Sequence, residues 1–189
     1  MKTIDIKGFK REETGKSATK QLRQAGSVPC VLYGGEEVAH FSTPQKDMRN
    51  LFYTPNVYIV KLNIDGKEVN AILQDVQFHP VTDEVIHIDF LQIKDDKPVV
   101  IEIPVKLEGF AEGVKAGGKL QLEMRKLKVK ALAKDLPDTL NINIDHLGLG
   151  KATQVGELNF ENLELLNAKN AVVVAVRLTR AARAAQQKA

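Results

Sequence analysis

The sequence is poor in the features that announce catalysis, export or membrane residence. It has one cysteine, Cys30, in 189 residues. That excludes an intramolecular disulfide and a multi-cysteine zinc site, and it suits a reducing cytoplasm. Flanked by Pro29 and Val31, Cys30 reads as a small buried hydrophobe. No apolar run approaches twenty residues, so no helical membrane span is expected. The start, MKTIDIKGFKREE, lacks an apolar stretch of signal-peptide length, and export is not expected. No Ser-His-Asp order, Cys-His pair or dinucleotide glycine pattern occurs, and no catalytic residue, metal or cofactor is expected. Gly113–Gly118 is glycine-rich but lies between two strand-like segments, where it reads as a long turn.

What is present is an ordinary globular composition, 43% hydrophobic and 27% charged. The length allows one large or two small domains with a real core. Net charge is +3, and its distribution says more than its total. Residues 1–33 carry seven bases against three acids, and residues 34–93 carry four against nine. Residues 94–176 balance at twelve each, and the end from Arg177 has four bases and no acid. Positive charge is thus held in two places, as expected where part of a surface meets a polyanion. The terminal arginines read equally as a solubilising end.

The periodicity is mostly that of strands. Thr3–Phe9 alternates. A short helix opens at Lys16 or Ser17 and runs through Ala25, with Gly26 past its end and Pro29 beyond. On it Lys16, Lys20 and Arg23 share one face, while Ala18, Leu22 and Ala25 share another. Pro29–Tyr33 is a strand ending at Gly34-Gly35. Pro44–Tyr53 reads as a second short helix. Val57–Ile64 and Glu68–Leu73 flank an Asp65-Gly66 hairpin signal, and Val76–Phe78 continues as strand or bulge. His79-Pro80 forces an extended or turn conformation. Glu84–Ile93 alternates, with Ile86, Ile88 and Phe90 on one side and His87, Asp89 and Leu91 on the other.

A charged stretch ending at Pro98 marks a boundary, giving domains 1–93 and 94–180. In the second, Val99–Leu107 is a strand whose Pro104 suggests an edge. Glu108–Lys119 is a loop, Leu120–Ala133 and Thr139–Ile144 are strands, Gly156–Leu158 is a turn of helix and Val172–Leu178 is the last strand. Residues 181–189 form a basic, Ala- and Gln-rich tail expected to be disordered. The fold class is therefore mainly β: a small barrel with short helices, then an all-β domain.

Three groups of side chains bear on function. Thr14-Gly15-Lys16-Ser17 suggests a phosphate loop, but the position that must be glycine is Lys10, and the parallel α/β context is missing. What survives is a glycine turn whose Lys16 and Ser17 offer donors to one backbone phosphate. His87 and Asp89 share a strand face about 7 Å apart. With His79 they make a weak metal signal and a better nucleic-acid one, a donor and an acceptor held rigidly for base edges and 2′-hydroxyls. Lys10, Arg11, Lys20 and Arg23 form a local, mostly one-signed cluster, which reads as an ordinary solvated face or as a polyanion contact. Tyr33, at a strand end, has equal claims to core and to surface contact.

Taken in order, these segments resemble the ribosomal protein L-twenty-five/CTC family. The resemblance rests on Gly15-Lys16, Leu22-Arg23, Gly26, Pro29, Tyr33-Gly34, Asp75-Val76-Gln77, His79-Pro80 and His87-Ile88-Asp89-Phe90. It continues in Ile103-Pro104-Val105, Gly109, Gly113-Val114 and Gly117-Gly118, which look like the second domain of the longer members. It implies a non-catalytic protein of the large ribosomal subunit, in the cytoplasm and monomeric when free. Its first domain would bind the minor groove of loop E of 5S ribosomal RNA, and neighbouring ribosomal components would be further partners. By similarity Arg11 or Lys10, Lys20 and Arg23 meet phosphates, with Lys16, Ser17 and Thr19 nearby. Tyr33, His87 and Asp89 make the groove contacts, and Gln77 joins them. Gln21 and Phe78 stand where many members have a base. A competing reading is a β protein-interaction module with incidental RNA affinity. An enzyme using the Gly15-Lys16-Ser17 turn is a third, which a nucleotide-induced thermal shift would reveal.

Overall fold

The computed structural model describes residues 2–35, 37–94, 96–180 and 182–183. The expected disordered tail, apart from Ala182 and Arg183, lies outside the described residues. The chain forms two compact units, residues 1–101 with 132–134, and residues 102–131 with 135–189. No helix of the described residues is long and apolar enough to cross a membrane.

The first unit is built on six strands: β1 (Lys2–Lys10), β2 (Ser27–Tyr33), β3 (Ala39–Pro44), β4 (Tyr58–Ile64), β5 (Lys67–Phe78) and β6 (Val85–Gln92). They close into a barrel in the order β1-β3-β2-β6-β5-β4. Two of the pairings, β1 with β4 and β2 with β6, are parallel. Alternation drives closure. Val28, Cys30 and Leu32 of β2, Val60, Leu62 and Ile64 of β4, and Ile88 and Phe90 of β6 all point into one core. Each of the Val, Leu, Ile and Phe side chains contributes about 1.5–3 kcal/mol through burial. Phe41 and Phe90 are wholly buried, with ring centroids 5.8 Å apart.

Two helices decorate the barrel. α1 (Lys16–Gln24) starts after Gly15 and ends at Gly26, whose φ of 76° is the left-handed stop expected there. Its partly buried stripe is Ala18, Thr19 and Leu22, whereas Ala25, expected on the apolar face, is exposed. The expected helix over Pro44–Tyr53 is shorter. Pro44 ends β3, Gln45–Met48 is a 3-10 turn, and only α2 (Arg49–Phe52) is α-helical. β3 itself was not anticipated, because of its apolar residues only Phe41 is large. The Asp65-Gly66 hairpin forms as expected, with both residues at positive φ. β5 runs on through Phe78 as expected, with a register shift between Leu73 and Asp75 that leaves Gln74 as a bulge.

The second unit contains a four-stranded sheet and a three-stranded one. The first runs in the order β10 (Leu140–Asn143), β7 (Val99–Glu108), β9 (Lys126–Ala131), β12 (Glu164–Leu165); the head of β7, Val99–Ile101, belongs to the first unit. The second sheet runs β11 (Ala152–Gln154), β13 (Val172–Arg177), β8 (Lys119–Leu122). Three expectations are corrected. The loop over 108–119 contains a helical turn, α3 (Glu112–Lys115). The long strand over 120–133 is two strands, β8 and β9, broken at 123–125. Pro104 does not mark an edge, since β7 lies between β10 and β9. Its missing N–H is tolerated because pairing with β10 begins at Val105.

Gly8 shows how tightly the barrel is packed. A Cβ there would sit 2.6 Å from Cδ2 of the buried Phe41 ring. Gly8→Ala is therefore expected to destabilise the first unit by about 1–3 kcal/mol. Urea unfolding followed by far-UV circular dichroism measures this, and an unchanged midpoint would contradict the packing.

Candidate nucleic-acid interface

The barrel pairings bring four of the expected site residues, Tyr33, Gln77, His87 and Asp89, onto one outer surface. Val31, on the outside of β2, pairs with Asp89 of β6, and Asp89 pairs with Asp75 of β5. On the other side Val31 pairs with His40 of β3, whose carbonyl accepts the Arg11 N–H at 3.0 Å. One register row thus reads Arg11, His40, Val31, Asp89, Asp75. One step along, Gln77 pairs with His87. One step the other way, Tyr33 pairs with Leu91. Tyr33, His87, Asp89 and Gln77 therefore share a face of three adjacent strands.

His87 and Asp89 make a tighter unit than strand geometry alone implies. Their side chains lean together, with Nδ1 to Oδ1 at 2.8 Å. Both are about one-third exposed, 27% and 33%. The proton on Nδ1 faces Asp89, so Nε2 is left outward as an acceptor in the neutral ring and a donor in the cation. His79 plays a different part. Its Nδ1 accepts from the backbone N–H groups of Val81 and Thr82, at 3.4 and 3.2 Å, and closes the β5–β6 turn. Among the described residues no group of three or more His, Cys, Asp or Glu is placed to hold a metal.

The cations border this face. Lys16, Ser17, Lys20 and Arg23 are exposed on α1. Arg23 Nε donates to the Ile86 carbonyl at 3.1 Å. Ile86 is the bulge residue of β6, since the register jumps from Gln77–His87 to Phe78–Val85. Helix α1 and strand β6 are thereby tied together. The Thr19 hydroxyl donates within the helix, to the carbonyls of Gly15 and Lys16 at 3.2 and 3.0 Å, so it faces outward only as an acceptor. Lys10 and Arg11 separate at the end of β1. Lys10 is exposed, whereas Arg11 is half-buried, with Nε and Nη1 both enclosed and without a hydrogen-bond partner.

Burial and charge tune two groups here. Tyr33 is shifted above 10.0, first by burial and then by the negative charges of Asp89 and Asp75. It remains a neutral hydroxyl, able to donate. The Cys30 thiol is pushed up by burial, with Arg11 opposing and Asp89 adding to the rise. It is not a nucleophile. Phe78 packs edge-on against Phe52, with centroids 6.3 Å apart.

Sequence reasoning did not single out His40 or Asp75 as site residues. His40 lies on the unrecognised strand. Asp75 is in phase with Gln77, but the Gln74 bulge hides which face the pair takes.

Residues 6–90 match the Ribosomal L25p family, and residues 98–180 match the C-terminal domain of ribosomal protein TL5. The chain is 61% identical over 190 residues to the large ribosomal subunit protein bL25 of Bacteroides fragilis, covering 98% of this chain and 97% of that one. It is 58% identical to the protein of the same name from Parabacteroides distasonis, with both chains covered in full. For that of Porphyromonas gingivalis the figure is 57%, over 100% of this chain and 99% of the relative.

The tyrosines give a direct check on the face. Tyr58 accepts hydrogen bonds from Thr54 and Asn56, which lower its ionisation below 10.0, while Tyr33 ionises above it. In an alkaline tyrosinate titration, Tyr58→Phe should remove the earliest part of the absorbance change and Tyr33→Phe the latest. Loss of early amplitude in Tyr33→Phe would contradict its place beside Asp89 and Asp75.

Proposed function

The chain belongs to the Ribosomal L25p family, and on that premise we propose that it is a non-catalytic constituent of the large ribosomal subunit that binds 5S ribosomal RNA. Its place is the ribosome in the cytoplasm. The binding element is residues 1–93, with the outer face of β2, β6 and β5 in the minor groove of loop E. The observation that carries this reading is the single surface on which a hydroxyl donor, a His–Asp pair and an amide lie beside an exposed basic helix.

Each part suits RNA chemistry. The RNA minor groove is wide and shallow, so a flat strand face reaches 2′-hydroxyls and base edges without a protruding helix. Tyr33, His87, Asp89 and Gln77 supply donors and acceptors there. Lys16, Lys20 and Arg23 are spaced along a helix beside that face, where they meet the phosphates and fix its register. Ser17 adds a hydroxyl at the same helix start. Lys10 serves as a further phosphate contact at the end of β1, and Arg11 reaches outward only through Nη2. Residues 94–180 form a second β module, for which neighbouring large-subunit components are the proposed partners. The protein is monomeric when free.

Competition binding of the full chain to 5S ribosomal RNA tests this. The competitor is an RNA of equal length with a regular duplex in place of loop E, at two salt concentrations. Binding that prefers loop E and persists at the higher salt is expected. Equal, salt-labile binding to both RNAs would reduce the basic helix to a polyelectrolyte patch and favour a protein-interaction role.

Two variants separate the parts. Lys20→Ala should weaken binding to any duplex and reduce the slope of log K against log salt by about 0.7–0.9. Arg23→Ala should do the same and, through loss of the Ile86 contact, also loosen α1. Asp89→Ala should lose preference for loop E by about 1–3 kcal/mol while leaving the slope unchanged. Unaltered binding by Asp89→Ala would remove the groove-reading role.

A further inference from the structure

Asp75 is an anomaly on a surface that meets a polyanion. It is exposed and is the direct cross-strand partner of Asp89. Like charges placed opposite one another in a sheet are destabilising. Among the described residues neither carboxylate has a lysine or arginine partner. Asp89 is held by His87, and Asp75 Oδ1 accepts only the N–H of Val76, at 2.9 Å. Oδ2 of Asp75 has no hydrogen-bond partner among the described residues. Both charges also act on Tyr33, so the three groups form one patch.

An ionised carboxylate only accepts hydrogen bonds. It repels phosphate and cannot pair with a base edge that presents acceptors alone. On the floor of a minor groove, the one base-borne donor is the 2-amino group of guanine. The basic helix borders this patch on one side, so the phosphates are drawn to that border and the acidic row faces the groove.

We propose that Asp75 is a specificity-determining residue of this face, accepting from a guanine 2-amino group in the RNA minor groove. The inference rests on the reading of the chain as a 5S ribosomal RNA-binding protein and adds a contact to it. Asp75 supplies a positive signal for an exposed amino group and a penalty for any phosphate or acceptor-only edge brought to the same place. The acidic pair is thus a discriminating device.

The test uses the full chain with Asp75→Ala and Asp75→Asn, and 5S ribosomal RNA carrying single guanosine-to-inosine replacements in loop E. Inosine lacks the 2-amino group. Thermal unfolding checks that both variants are folded, with Asn keeping the size and one acceptor of Asp. Asp75→Ala should bind unmodified RNA about tenfold more weakly, with the salt slope unchanged. At least one inosine position should weaken the parent by a similar factor and have no further effect on Asp75→Ala. Asp75→Asn should bind regular duplex as well as the parent or better, and so prefer loop E less.

If the parent binds 5S ribosomal RNA tightly but both variants match it, the role of Asp75 is overturned and the broader reading stands. Additive losses at every inosine position would likewise overturn the amino contact. If the parent itself shows no preference for loop E, both inferences fall together.

Discussion

The parallel pairing of β2 with β6 is the constraint on which the rest of the first unit depends. It joins segments that start 58 residues apart in sequence, Ser27 and Val85, and it sets the register that puts Val31 beside Asp89 and Tyr33 beside Leu91. Side chains alternate with a period of two, so one residue of slip would send Asp89 and His87 into the core and expose Ile88 and Phe90. The buried side of the same strands guards against that slip. Cys30, Leu32, Ile88 and Phe90 fill the barrel together with Phe41. Core packing and surface chemistry are two faces of one registration.

Irregularities then refine the surface. The bulge at Ile86 leaves a carbonyl for Arg23, and the one at Gln74 rephases β5 so that Asp75 and Gln77 join the outer row. Bulges re-aim side chains and add local twist, and here they lie at the two ends of the stretch where β5 faces the His–Asp pair. The cationic helix is secured to the strand it flanks by a side chain that also carries charge outward. Positioning and electrostatics are therefore not separable at Arg23.

Much of this was legible in the sequence wherever the signal was local. The VIHIDFL alternation gave the facing of His87 and Asp89, Asp-Gly gave the hairpin, and Gly26 gave the helix end. The family resemblance implied an ordered set of contact positions, of which the pairings gather Tyr33, Gln77, His87 and Asp89 on one face. What was not legible depended on partners distant in the chain. β3 has too few large apolar residues to declare itself, and it is a strand because β1 and β2 flank it. Pro104 read as an edge signal because its tolerance depends on where β10 begins pairing. The two bulges are mismatches between strands, and no single segment records them. Asp75 was not singled out as a site residue because an acid in isolation reads as an ordinary solvated charge, and only the cross-strand partner makes it unusual.

The barrel's closure also has a meaning in time. β1 must find β4, and β2 must find β6, so neither parallel pair can form while those later strands are still inside the translating ribosome. Long-range pairings of this kind raise contact order and slow folding. A nascent chain that has released α1 already displays its cations, but the row that sets Val31 beside Asp89 and Asp75 does not yet exist. During synthesis the exposed charge thus precedes the shaped surface, which arrives only when β6 completes the ring.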